Sequence, residues 1–288
     1  MSVRVFAPAK INLTLKVGRP RVDGLHPLRS VVAFAPGEEW VEAAPGSGFS
    51  LTIIGPFADA VEANESNLVR RAARALADAA GAAASGAALM LYKDYPVASG
   101  IGGGSSDAAA TLKALNQLWN LGMDEAALIA IARGLGSDVP VCVPARAAYM
   151  SGAGETFAPF DLPPLHAVLV NPRRPLATPD VYRQFDAMGL GGEFDAAARA
   201  PIWANAAAAV AGASVLGNDL AAPAAALKPE LAAMAAALRS DSRVLYANLS
   251  GSGATMFALC ETREQALAVQ SSILAAHAAY WVRSAALI

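Results

Sequence analysis

Gly100, Gly102, Gly103 and Gly104 run into Ser105, Ser106 and Asp107, and then into Leu112, Leu115, Leu118 and Trp119, which recur at helical spacing. Glycines in such a cluster let backbone come very close to a ligand. Without Cβ atoms the loop can adopt positive φ and turn its N–H groups inward. The two serines are good N-cap residues, and Asp107 sits where a carboxylate favours a first helical turn. The loop therefore delivers whatever it holds to a helix N-terminus, which attracts anions and phosphate above all. A tight turn with a capped helix is the plainer alternative, but it accounts for one or two glycines rather than four followed by Ser-Ser-Asp. Two familiar phosphate patterns fail. The Walker pattern needs a lysine where Ser105 stands, and the dinucleotide pattern begun at Gly100 and Gly102 needs a third glycine at that same position.

The rest of the chain must position this loop. Residues 3–6 and 13–17 predict strands either side of a turn at 8–12, so Lys10 lies in a constrained connection. Further strands are expected over 34–44 and 49–54, with turns at Pro36-Gly37 and Pro45-Gly46-Ser47-Gly48. Ser66 and Asn67 open a helix that runs to Ala80 and is closed by Gly81. After the glycine loop, Asp124 and Glu125 start a helix through Leu128, Ile131 and Leu135, broken by Gly134 and Gly136. Ser137-Asp138-Val139-Pro140 follows, then a predicted strand over 141–143. Pro140 stops a helix and pushes Val139 towards extended geometry, so Asp138 is held at a joint, as a cap or turn residue at the least. Residues 147–157 read as a hairpin returning towards the first domain, and the domain boundary is placed after it: 1–158 and 159–288. In the second segment, strands are expected over 166–171, 246–249 and 256–260, the last two flanking Gly251, Ser252 and Gly253. Helices are expected over 231–238 and 264–276, and Gly217-Asn218-Asp219-Leu220 reads as a helix start capped by Asn218 or Asp219. Strand, loop and strand with helices on one side predict an α+β, ferredoxin-like second domain. Residues 185–213, rich in alanine and glycine, carry little information.

Composition narrows the function classes. The 288 residues suffice for two ordinary domains. The apolar fraction of 55% is inflated by alanine, and the apolar run at 206–217 is too short for a membrane span. Lys10 and Asn12 interrupt the first apolar stretch, so no signal-peptide pattern opens the chain, and a cytoplasmic location away from membranes is expected. With 22 basic against 24 acidic residues there is no polyanion surface, so nucleic acid is not an expected partner and phosphate chemistry must be local. Cys142 and Cys260 predict buried free thiols rather than a disulfide or a metal site.

Three segments then carry a resemblance. Pro96, Val97, Ala98, Ser99, Gly100, Ile101, Gly102, Gly103, Gly104, Ser105 and Ser106, followed by Asp107-Ala108-Ala109, resemble the ATP-binding motif of the GHMP kinase superfamily. Pro8-Ala9-Lys10-Ile11-Asn12-Leu13 resembles its N-terminal motif, and Ser250-Gly251-Ser252-Gly253-Ala254 its C-terminal glycine loop. The three span almost the whole chain in the expected order. The resemblance implies an α+β, two-domain GHMP kinase fold: an N-terminal ribosomal protein S5 domain 2-like α/β domain and a C-terminal ferredoxin-like domain. It implies ATP with Mg²⁺, and transfer of a phosphoryl group to an alcohol. On it, Asp138 in Gly-Ser-Asp-Val-Pro is the general base, and Lys10 the cation near the transferred group or the catalytic carboxylate.

Among superfamily members, the wording of the motifs is nearest to those whose small-molecule substrate is a cytidine-diphosphate-linked alcohol, phosphorylated on its 2-hydroxyl. Arg21-Val22-Asp23-Gly24-Leu25-His26 resembles their Asp-Gly-Tyr-His stretch, which makes His26 the reader of the cytosine edge. Leu25 takes the tyrosine position, and Val32 stands where some members carry phenylalanine; apolar contact with the base survives, π-stacking does not. Tyr182, four residues after Thr178, matches an aromatic that stacks on the opposite face of the base, with helix packing as its alternative. Asn12 is implied as a polar substrate contact, against a turn-stabilising role, and Gly251, Ser252 and Gly253 lie near the diphosphate. Asn67 and Lys93 match adenine-side contacts, though an N-cap and a surface lysine explain them almost as well. A homoserine or mevalonate kinase has no use for the His-bearing segment. Lys10 together with Asp138 argues against a silent nucleotide-binding scaffold, and no Gly-x-Ser-x-Gly elbow supports a serine hydrolase. Nothing in the sequence selects between a monomer and a dimer.

Overall fold

The computed structural model of the chain describes residues 1–192, 194–195 and 199–288. The elements run, in chain order, β1 (Val3–Phe6), β2 (Ala9–Asn12), β3 (Lys16–Val17), β4 (Leu28–Ala35), β5 (Trp40–Pro45), β6 (Phe49–Ile54), α1 (Leu68–Ala80), β7 (Ala87–Tyr92), α2 (Gly103–Leu118), α3 (Glu125–Ala132) and α4 (Val139–Cys142). There follow β8 (Ala148–Ser151), β9 (Thr156–Pro159), β10 (His166–Asn171), α5 (Thr178–Ala187), α6 (Ala206–Leu216), α7 (Ala221–Leu227), α8 (Glu230–Ser240), β11 (Tyr246–Leu249), β12 (Met256–Cys260), α9 (Arg263–Ala276) and β13 (Trp281–Ala286). Contacts divide them into two compact units. The first is Met1–Ala9, Pro36–Val97 and Gly102–Ala145; the second is Lys10–Ala35, Ala98–Ile101 and Arg146–Ile288.

In the first unit the sheet order is β1-β5-β7-β6, antiparallel except for the parallel β6–β7 pair that α1 connects. Alternation along β5 and β7 turns Val41, Ala43, Leu89 and Leu91 to one face, where they are buried. α1 contributes Val69, Ala72, Ala73 and Leu76, the i, i+3, i+4, i+7 stripe of an amphipathic helix, and packs on α2. α2 is buried along most of its length, through Ala108, Leu112 and Leu115.

The second unit has two sheets. One has the order β2-β4-β8-β9, with β3 paired to β4; the other is antiparallel, in the order β11-β12-β10-β13. Val168, Val170, Leu249, Met256 and Val282 from the latter form a core with Val181 and Phe185 of α5, Leu231 and Leu238 of α8, and Val269 of α9. A reciprocal capping box, Thr262 with Gln265, starts α9.

Four expectations change. The units do not follow the cut expected after residue 158. β4 pairs with β8, and β8 with β9, so residues 10–35 and the hairpin at 147–157 both belong with the C-terminal half. The expected turn at 8–12 contains the strand β2, all of it buried, because its apolar residues have a sheet to join. Residues 139–142 form a helical turn rather than leading into a strand over 141–143. Pro140 occupies the first turn of α4, where its missing N–H costs nothing. Finally, the N-cap of α2 is Gly102 rather than a serine.

Candidate active site

In the first unit, the glycine loop ends at Gly102, whose φ of +62° is left-handed and suits a residue without a Cβ. Having no side chain, it leaves α2 without a side-chain cap. The first bond of the helix runs from the Ser106 N–H to the Gly102 carbonyl, so the N–H groups of Gly103, Gly104 and Ser105 meet no backbone acceptor among the described residues. Three amide donors at the positive end of a 16-residue helix fit phosphate oxygens. Ser106 serves elsewhere: its hydroxyl donates to the Pro8 carbonyl at 2.7 Å and lies 3.5 Å from Cys142 Sγ. Its side chain is therefore spent on packing rather than on ATP. That contact also sets α4 against the first turn of α2. Asp138, half-buried, is the N-cap residue of α4, yet its side chain makes no capping bond to that helix.

Beneath the start of α2 lies a buried ion cluster. Lys93 Nζ donates to Glu39 Oε1 and Asp107 Oδ2, both at 2.7 Å, and Glu39 Oε2 accepts the N–H groups of Asp94 and Tyr95. A Cβ on Gly103 would sit 3.1 Å from Nζ, so the ammonium braces the helix start directly. Lys93 is thus not a nucleoside contact but the centre of this brace, and its charge is taken by two carboxylates. Asp107, read from sequence as a helix-dipole partner, is one of them. Asn67 takes the helix-capping role that its position also suggested: its Oδ1 caps α1 through the Val69 N–H, and its Nδ2 donates to the Glu62 carbonyl.

Burial, followed by the nearby Asp107 charge, pushes the Glu39 carboxyl well above the ordinary carboxylate range. For Lys93, burial favours the neutral amine, but Asp107 and Glu39 outweigh it and the net shift is upward. Asp107 Oδ1 is buried and accepts no hydrogen bond among the described residues. A carboxyl whose folded pKa exceeds its unfolded value, here 4.5, contributes stability that is complete below that value. The contribution is lost as pH rises through the folded pKa. Thermal unfolding of the wild type is therefore expected to shift to lower temperature with rising pH above about 4.5, more steeply than that of Glu39→Gln. Parallel profiles for the two proteins would show that Glu39 is ionised throughout.

In the second unit, the other half of the glycine loop meets protein backbone. A Cβ on Gly100, whose φ is +74°, would lie 2.3 Å from the Ser250 carbonyl oxygen and 2.6 Å from the Gly253 nitrogen. What Gly100 must approach so closely is the second glycine turn. Ser250 Oγ donates to the Gly100 carbonyl at 2.9 Å and accepts the Asn12 N–H at 3.1 Å. The Lys10 N–H donates to the Ile101 carbonyl, the Thr255 N–H to Ser99 and the Leu176 N–H to Ala98. Lys10, Asn12, residues 98–101 and the turn at 250–253 thus form one hydrogen-bonded body. Lys10 is only 4% exposed, so it is not the solvated surface lysine that composition alone would suggest. Asn12 Nδ2 donates to Ser30 Oγ at 2.7 Å. In the first unit, Pro96 is buried and Val97 exposed.

The predicted base-reading residues come together in the same unit. The rings of His26 and Tyr182 lie 4.9 Å apart, tilted at 46°, with Phe185 edge-on to His26 at 5.7 Å. The Gly18 carbonyl accepts from His26 Nδ1 at 2.9 Å, which selects the tautomer with its proton there and turns Nε2 towards Asp186 Oδ2 at 3.5 Å. Leu25 is 53% exposed on the turn closed by the Arg21 N–H and the Leu25 carbonyl. Val32 is fully buried in β4, out of reach of any base. Thr178 Oγ1 and Ser252 Oγ are hydrogen-bonded at 2.8 Å, which links two predicted substrate contacts across 74 residues. Gly251 and Gly253 both have positive φ, +55° and +85°.

Sequence reasoning missed Glu39 and Ser250 as positioning groups. Ser250 could have been flagged by its place before the glycine turn; nothing local marks Glu39. Asn218 and Asp219, expected to cap a helix, instead hold other segments. Asp219 takes Lys16 Nζ and the Val17 N–H, and α7 begins after Leu220.

The chain is similar to known proteins over most of its length. The family model described as GHMP kinases N terminal domain matches residues 67–146, and that described as GHMP kinases C terminal matches residues 197–279. A 4-diphosphocytidyl-2-C-methyl-D-erythritol kinase of Bradyrhizobium sp. (strain ORS 278) is 45% identical over 97% of this chain and 95% of its own. One of Hyphomonas neptunium is 45% identical over 97% and 94%. A crystal structure of 4-(cytidine 5'-diphospho)-2C-methyl-D-erythritol kinase superposes with a TM-score of 0.77 at 32% identity, covering 99% of this chain and 98% of that one. Homoserine kinase from Cytophaga hutchinsonii shares the fold, with a TM-score of 0.73 at 18% identity over 99% and 94%. The α+β GHMP kinase fold expected from the motifs is the fold observed. The chain belongs to the GHMP kinases, and within them to the family of the 4-diphosphocytidyl-2-C-methyl-D-erythritol kinases.

Proposed function

We propose that this protein transfers the γ-phosphoryl group of ATP to the 2-hydroxyl of 4-diphosphocytidyl-2-C-methyl-D-erythritol, a step in isoprenoid precursor synthesis, in the cytoplasm. The uncapped start of α2 binds phosphate oxygens through the Gly103, Gly104 and Ser105 N–H groups. Asp138 accepts the hydroxyl proton as the substrate oxygen bonds to phosphorus and the bond to the β-phosphate oxygen breaks. Lys10 balances the charge that develops on the transferred group. Mg²⁺ accompanies ATP. Among the described residues no group of three or more His, Cys, Asp or Glu side chains is arranged to hold a metal, so phosphate and water oxygens would supply most of its ligands. Among the described residues no helix is long and apolar enough to cross a membrane.

The observation that carries the cytidine substrate, over the small acids used by other GHMP kinases, is the His26–Tyr182 pair. Tyr182 offers a face for stacking, and with Nδ1–H committed to Gly18 the His26 Nε2 is the ring nitrogen left to meet the polar edge of cytosine. The decisive assay offers the purified protein Mg-ATP with the cytidine-diphosphate substrate, homoserine or mevalonate, and follows ADP release. Turnover is expected with the first alone. Faster turnover with either small acid would overturn the assignment, and ADP from none of the three would favour a silent scaffold.

A further inference from the structure

Asn218 is held from both sides. Its backbone is bridged to Leu15: the Leu15 N–H donates to the Gly217 carbonyl and the Asp219 N–H to the Leu15 carbonyl. Its side chain is fully committed. Nδ2 donates to the Leu249 and Gly251 carbonyls, each at 2.8 Å, and Oδ1 accepts the Leu220 N–H at 2.9 Å. Those two carbonyls belong to the peptides flanking Ser250 and Gly251, at the end of β11 and within the turn that follows.

In a trans peptide the N–H points opposite to the C=O. Drawing the Gly251 carbonyl onto Asn218 therefore aims the Ser252 N–H away from Asn218. That N–H donates to nothing among the described residues, whereas the neighbouring Gly253 N–H closes the turn onto the Ser250 carbonyl. Ser252 itself is 5% exposed, so its N–H is a nearly buried donor without an internal partner. Oriented backbone N–H groups in a turn of positive-φ residues make an anion-binding concavity.

We infer that Asn218 is a positioning residue for phosphoryl transfer: it fixes the peptide between Gly251 and Ser252 so that the Ser252 N–H faces the acceptor's diphosphate. The inference rests on the reading of Gly251, Ser252 and Gly253 as the diphosphate contact. Asn218→Asp separates this role from the local turn that Asn218 makes with Leu220. Aspartate still accepts the Leu220 N–H, but it has no donor for the two carbonyls and sets a carboxylate oxygen against them.

The full chain carrying Asn218→Asp is compared with the wild type and with Gly253→Ala, which perturbs the turn itself: its Cβ would lie 2.8 Å from Leu249 Cδ1 at a φ of +85°. The expected result is a rise of roughly tenfold to a hundredfold in KM for the cytidine-diphosphate alcohol in both variants. KM for ATP stays within about twofold, and CDP loses its advantage over cytidine as a competitive inhibitor. If KM for the alcohol rises in Gly253→Ala but not in Asn218→Asp, the role of Asn218 is overturned while the diphosphate reading stands. If neither variant moves it, the reading of the turn fails and takes the inference with it. Should Asn218→Asp unfold at assay temperature by circular dichroism, Asn218→Ser, which keeps an acceptor but cannot span both carbonyls, is put through the same comparison with the same expected outcomes.

Discussion

With Asp138 replaced by asparagine, kcat is expected to fall by roughly 10²–10⁴-fold while the affinity for ATP stays within about twofold. The size follows from the role: losing a positioned proton acceptor removes an interaction made only as the hydroxyl attacks, so kcat and kcat/KM fall together. The substitution removes no helix cap. Asp138 is half-buried at the head of α4, and its side chain does not cap that helix, so asparagine costs the helix nothing through a lost cap. Pro140 and the packing of α4 against α2 hold the backbone in place whichever of the two residues stands there. Single-turnover kinetics with the cytidine-diphosphate alcohol would separate the chemical step from binding. Near-normal turnover would remove Asp138 from the mechanism.

The largest loss of stability is expected from Lys93→Met. Methionine fills the volume of the lysine stem but leaves the Glu39 and Asp107 carboxylates buried without their cation. Breaking a buried pair by removing one partner costs about 3–5 kcal/mol. Exposed pairs such as Arg21 with Asp23 are screened by solvent, so the burial of the cluster, not the number of its ion pairs, decides the magnitude. Guanidinium unfolding at fixed pH measures the difference. A loss below about 1 kcal/mol would mean that the ammonium does not compensate the burial of these acidic groups. Because Lys93 lies directly under Gly103, a folded Lys93→Met protein is also expected to bind ATP more weakly through a misaligned α2 start, although Lys93 itself touches no nucleotide.

Much of the second unit was legible locally. β10, β11, β12, α8 and α9 lie where alternation, helical period and flanking turns predict them, because each is a contiguous stretch whose pattern matches its own element. The helix ends were less so. The serines after the glycine loop are good caps in isolation, yet the cap went to Gly102, since Ser106 had the Pro8 carbonyl to satisfy inside the fold. The strand expected from Val141-Cys142-Val143 became a turn of helix for the same kind of reason: packing against α2 outweighed β-branched propensity.

What the sequence by itself determined is the chemistry on offer: a glycine-rich anion loop leading into a helix, a lysine and an aspartate in motifs of matching order, and a histidine in a segment suited to a base. Those are covalent neighbours, and spacing records them. Only the tertiary structure decided what each polar group does. Lys93 went to two carboxylates and Asn67 to a helix cap, Gly100 proved necessary for the approach of Ser250 and Gly253, and His26 met Tyr182. A buried donor takes whichever acceptor the fold brings within about 3 Å, and those acceptors lie scores of residues away along the chain, where no local pattern can register them.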